Sequence, residues 1–102
     1  MENYRYDLEE RLIRFSVDVI LACGKLEGGF ASQHLSKQLI RSTTSVALNY
    51  GEAQSAESKR DFLHKMKVCL KELRESLINL KIQERSEIDY RYRNVEKAFK
   101  GK

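Results

Sequence analysis

Apolar residues recur along this chain at helical intervals. Leu8, Leu12, Phe15, Val19, Cys23 and Leu26 follow one another at spacings of 4, 3, 4, 4 and 3, which predicts one face of a helix over about residues 6–26. Ile13, Val17 and Ile20 widen that face, as a helix packed against two neighbours requires. The run Gly24-Lys25-Leu26-Glu27-Gly28-Gly29 ends it, with Gly24 or Gly28 the candidate left-handed cap. A second helix is expected over about residues 32–53, where Leu35, Leu39, Ser42, Val46 and Asn49 share a face. The third pattern is the strongest. Phe62, Met66, Cys69, Leu70, Leu73, Leu77 and Leu80 predict a helix over about 58–85, with Ser58 and Asp61 spaced as a capping box. A short fourth helix at about 88–99 would carry Ile88, Tyr92, Val95 and Phe99, with Ser86 and Asp89 at its start. No glycine or proline lies between Gly51 and Gly101, so one long rod is the alternative. The apolar face turns by roughly 70° between the two segments at 100° per residue, which favours a break near residues 84–90.

Four amphipathic helices with short links predict an all-α fold, an up-and-down antiparallel four-helix bundle in a single domain spanning residues 1–102. The composition agrees. The chain has 102 residues, 33% of them charged and 41% hydrophobic, and no proline, which excludes a disordered tail and a many-turned β-sandwich. Its longest apolar runs are too short for a bilayer, and no signal-like segment opens it, so no membrane association and a cytoplasmic location are expected. Cys23 and Cys69 are too few and too far apart for a disulfide framework or a zinc site, and read as reduced core residues.

The net charge of +4 is unevenly placed. Residues 1–31 hold four basic and six acidic side chains, whereas residues 58–102 hold thirteen basic and seven acidic. Arg60, Lys67, Lys71, Arg74, Lys81 and Arg85 recur on the third helix at spacings of 7, 4, 3, 7 and 4. They share a sector of roughly 80° and a ridge about 38 Å long, a geometry suited to a phosphate backbone. A lysine-rich solvent face, or an inter-subunit charge pairing, accounts for the same pattern. No base-stacking aromatics interleave the ridge, so binding there would be weakly sequence-specific.

Signatures of catalysis are missing. Neither His34 nor His64 has a glutamate three residues before it, as a di-iron carboxylate bundle needs; Ala31 and Asp61 stand there. Gly28-Gly29 belongs to no phosphate-binding loop motif, and Ser45 and Cys69 have no base nearby in sequence. Neither enzymatic activity nor a cofactor or metal is therefore expected. The second helix instead carries a polar seam. Gln38, Ser42, Ser45, Asn49 and Glu52 progress by 4, 3, 4 and 3, which suits a buried network fixing helix register better than a binding face.

The string Gln38-Leu39-x-Arg41-Ser42-x-x-Ser45-Val46-x-x-Asn49-x-x-Glu52-Ala53, then Ser58-Lys59-x-Asp61-Phe62 and Leu70-Lys71-Glu72-x-x-Glu75, resembles the four-helix bundle protein family. That family is also called the ribosomal RNA intervening-sequence protein family, and is similar to the accessory proteins of diversity-generating retroelements. The resemblance covers about residues 8–85. It implies an antiparallel four-helix bundle, a ring-shaped homopentamer and a non-enzymatic role. In the retroelement branch it implies binding to nucleic acid, RNA more than DNA, and to a reverse transcriptase. The residues it carries over are Gln38, Arg41, Ser42, Ser45, Asn49, Glu52, Phe62, Lys71, Glu72 and Glu75, expected in inter-helix and inter-subunit hydrogen bonds. Arg41 would reach Glu72 or Glu75 if the second and third helices run antiparallel. Two departures stand out. The loop after the first helix lacks the family's usual proline, and the fourth helix is two or three turns short, which would leave apolar surface between helices one and three uncovered.

Two functional expectations follow. The first is an oligomeric helical bundle binding structured RNA through the ridge of the third helix. The second is a scaffold whose ridge docks an acidic protein, a reverse transcriptase for example, without touching nucleic acid.

Overall fold

The structure, a computed structural model, describes the backbone of residues 2–25 and 28–100 and the side chains of residues 7–25 and 28–86. It is all-α, and among the described residues there are three helices and no strand: α1 Glu2–Gly24, α2 Phe30–Gln54 and α3 Lys59–Lys100. The expected four-helix arrangement differs at one place. Where a break was expected near residues 84–90, the backbone of α3 continues for 42 residues without interruption. The physical reason is composition: no residue between Lys59 and Lys100 lacks a backbone N–H or a Cβ, so nothing in the segment disfavours the helix.

Helix ends follow local chemistry. The Ser58 hydroxyl accepts a hydrogen bond from the Asp61 N–H at 3.0 Å, and its carbonyl accepts from the Phe62 N–H at 2.9 Å, which starts α3. Gly29 caps α2 in an extended conformation without a side-chain bond. The left-handed glycine cap expected at Gly24 or Gly28 is not used: among the described residues no glycine has a positive φ. Instead α1 closes with a tight bond from the Lys25 N–H to the Ala22 carbonyl at 3.2 Å. Gly28 has another role. A Cβ there would collide with the side chain of Ser32, so the loop can approach α2 only with glycine at this position.

α2 is the central helix, packed against α1 on one side and α3 on the other, while α1 and α3 make no backbone approach among the described residues. Its pairings with α3 march in opposite directions along the two chains: Glu52 with Lys65, Val46 with Cys69, Ser42 with Ser76, Leu35 with Asn79. The helices are therefore antiparallel, and Phe30 stands level with about residue 85 of α3. Beyond that level α3 projects about 22 Å at 1.5 Å per residue. The overall extents, 67 × 23 × 22 Å, reflect that projection.

The core is small. Val46, Tyr50 and Cys69 form its centre, with Leu8 and Leu12 of α1 and Met66 and Leu73 of α3 packed around them. Among the described residues, half of the buried ones are polar: Ser16, Ser36, Ser42, Thr43, Ser76 and Asn79. Their size lets the helices come close, and all but the Ser36 hydroxyl, which is buried without a partner, bond to carbonyls or to each other.

Candidate nucleic-acid interface

Two faces of α3 carry the residues singled out from the sequence. The inner face meets α2. There Ser76, fully buried, exchanges a hydrogen bond of 2.8 Å with Ser42, accepts one of 3.3 Å from Thr43, and can donate to the Glu72 carbonyl at 2.9 Å. Lower on the same seam the Asn79 amide donates to the Leu35 carbonyl at 3.0 Å, and Gln83 donates to Asn79 at 2.7 Å. On the other side of α2, the Ser16 hydroxyl of α1 lies 3.4 Å from the Thr43 carbonyl.

At the edge of the seam the Arg41 guanidinium reaches two carboxylates one turn apart, Glu72 at 3.6 Å and Glu75 at 3.4 Å. Arg41 and Glu75 are largely in solvent, but Glu72 is mostly covered, and its second oxygen is buried without a hydrogen-bond partner. Nearly two turns from the start of α3 the Glu52 carboxylate accepts from Lys65 at 3.1 Å. That bond, more than the charge attraction accompanying it, holds the Lys65 ammonium above its ordinary pKa. Burial does the opposite kind of work on Cys69, pushing its thiol up by disfavouring the thiolate.

The polar seam of α2 is thus divided. Ser42, Arg41 and Glu52 bond across to α3, whereas Ser45 and Asn49 donate to their own helix, to the carbonyls of Arg41 and Ser45 at 2.7 and 2.8 Å. Gln38 is exposed and lines a shallow groove between α2 and α3 together with Leu35, Glu75, Ile78 and Ile82. Phe62 sits at the border of exposure beside the α2–α3 turn. Ser76 and Asn79, the most deeply engaged polar residues of α3, stand outside the sequence expectation. Their signal was a polar residue falling within an otherwise apolar face, seven and ten positions after Cys69.

The outer face of α3 is of a different kind. Arg60, Lys67, Lys71, Arg74, Lys81 and Arg85 are all exposed on the unbroken helix. None of the six forms an ion pair among the described residues. Beside them runs a second row. Leu63, Leu70 and Leu77, at heptad spacing, are 48%, 48% and 47% exposed, far more than a folded chain normally leaves large leucines. On α1 the outward residues Ile13, Val17 and Ile20 are similarly open. Chemically, such an arrangement offers cations for anionic oxygens and apolar area for another helix. Among the described residues no group of His, Cys, Asp and Glu could hold a metal ion, and no helix is long and apolar enough to cross a membrane.

Compared with known families, residues 6–97 match the family described as 23S rRNA-intervening sequence protein. Neither the curated proteins nor the solved structures gave a match.

Proposed function

The chain belongs to the 23S rRNA-intervening sequence protein family, and we propose that it acts as a non-enzymatic, homo-oligomeric helical accessory protein that binds RNA in the cytoplasm. The observation that carries this reading is the ridge of six exposed cations, without ion pairs among the described residues, on one sector of an uninterrupted helix. Cations so spaced release counterions from a nucleic acid and need no base contacts, so affinity would depend on shape and charge more than on sequence. The A-form backbone of a structured RNA presents phosphates that a straight ridge about 38 Å long can follow. The polar seam then serves to hold α3 in one register against α2, which keeps the ridge straight and facing outward.

The experiment is RNA binding by the full chain, titrated with salt, alongside a variant combining Lys67→Glu, Lys71→Glu and Arg74→Glu. Binding should weaken steeply with salt and vanish in the variant, with helicity by circular dichroism unchanged. Affinity indifferent to both salt and charge reversal overturns the proposal. Should the protein show no affinity for RNA or DNA yet retain an acidic protein such as a reverse transcriptase, the ridge is a protein-docking surface and the second expectation replaces the first.

A further inference from the structure

The start of α2 carries the most open large apolar side chain among the described residues. Phe30 is 87% exposed, although a phenylalanine ring is normally covered in a folded chain. The ring is nevertheless backed on one face. The His34 imidazole, one turn along α2, lies parallel to it within 10° at a centroid separation of 6.3 Å. Phe30 is thus part of a stacked pair that remains open to a third ring.

The surroundings of the pair are polar and cationic. At 100° and 1.5 Å per residue, Phe30, Gln33, His34 and Lys37 fall within a sector of roughly 100° and a length of about 10 Å. Gln33, His34 and Lys37 are all exposed, and Lys37 has no ion pair among the described residues. The Gln33 amide donates to the Gly28 carbonyl at 3.3 Å, which ties it to the preceding loop. Gln33 and Lys37 also border a groove between α1 and α2. In the lining of that groove Ser36, only 8% exposed, has a hydroxyl without a hydrogen-bond partner. Such a group is costly in the free chain and gains when a ligand supplies the missing bond.

An occupant that suits this place offers a flat aromatic face, hydrogen-bonding edges and a negative charge together. An apolar helix would cover Phe30 and leave the Ser36 hydroxyl and the Lys37 ammonium unmatched, while a free phosphate would leave the ring open. An unpaired nucleotide supplies all three. We propose that Phe30, backed by His34, is a stacking platform for an unpaired base of an RNA, with Lys37 taking the phosphate and the adjoining groove the polar edge. The inference rests on the RNA-binding reading above and deepens it. The ridge of α3 follows phosphates whether or not the bases are paired, whereas the platform of α2 selects RNA whose bases are exposed. The two stand on different helices, so either can be removed without the other.

Fluorescence of the full chain is the test. The sequence has no tryptophan, so Phe30→Trp installs a single reporter at the platform. Single-stranded oligoadenylate should quench it, whereas inorganic phosphate and a fully paired RNA duplex should not. Phe30→Ala should weaken binding of the single strand about tenfold while leaving duplex affinity and the salt dependence unchanged, and Phe30→Tyr should bind as the wild type does. Lys37→Gln should reduce the salt slope for the single strand by about 1. With Phe30 and Lys37 both exposed, helicity by circular dichroism should be the same throughout. Undiminished emission of the Phe30→Trp chain with RNA bound, or undiminished affinity of Phe30→Ala for the single strand, would overturn the platform and leave the ridge standing. A Phe30→Ala chain altered only in its sedimentation mass would overturn it too, marking the ring as a protein contact. No affinity of the wild-type chain for any RNA would remove both readings.

Discussion

The two faces of α3 reverse the usual distribution of side chains. Toward α2 the helix presents Ser76 and Asn79, both buried, and toward solvent it presents Leu63, Leu70 and Leu77. A helix normally hides its leucines and shows its serines. Buried hydroxyls contribute modestly to stability when paired, and are costly when left alone, so the inner face functions mainly as a device that accepts one register and rejects others. The outer face has no such device within the chain. Its leucines and cations stay open to solvent in the folded chain. The inner face therefore determines where α3 lies, and the outer face is the one on which the proposed RNA binding rests.

That contrast yields a graded set of expectations. The largest effect should follow from filling the inner face. Ser76→Leu places a bulky side chain in a fully buried site and removes the partner of Ser42 and Thr43, for a loss of about 3 kcal/mol in urea unfolding at fixed protein concentration. Ser42→Ala and Ser76→Ala should each cost about 1 kcal/mol and the pair less than their sum, because the two share one bond. Arg41→Ala should cost less than 1 kcal/mol, fading with added salt, since the guanidinium is 61% exposed in both of its ion pairs. Smallest of all, Lys67→Gln with Arg74→Gln should shift stability by no more than about 0.5 kcal/mol. The same pair should lower RNA affinity measurably, which separates the roles of the two faces.

The cysteines offer a check that needs no substitution. Cys69 is buried with its thiol raised, whereas Cys23 is half-buried at the open end of α1, so a thiol reagent should label Cys23 first and Cys69 only on unfolding. The sign of the linked pH effect is fixed. A thiol raised by folding favours the protonated form, so its contribution is complete below the unfolded pKa and is lost as the pH rises through the folded value. Stability should therefore decline at alkaline pH, and the Cys69→Ala variant should lose that part of the decline.

Much of this was legible in the sequence. The stripes placed α1 and α2 to within a few residues, and Ser58 gave the start of α3 through its hydroxyl. The spacing of Glu72 and Glu75, one turn apart, also anticipated carboxylates on the edge that Arg41 reaches. What periodicity misjudged was the direction of bonds. A Ser or Asn in a helix can return its hydrogen bond to the carbonyl four residues back, as Ser45 and Asn49 do, or send it to a neighbour, as Ser42 does. All three occupy the same seam, and only the approach of α3 distinguishes them. The expected break near residues 84–90 failed for a related reason. A change in apolar phase looks like the end of a helix, but with no glycine or proline in the segment the backbone carries on through it.

The most direct test of the central claim, that the outward face of α3 is a surface for RNA, is the slope of log affinity against log salt concentration. Six phosphate contacts predict a slope of about −4 to −5 for the wild-type chain. Each ridge cation replaced by glutamine should reduce it by about 1. A slope near zero, or one that survives neutralising the ridge, would contradict the account.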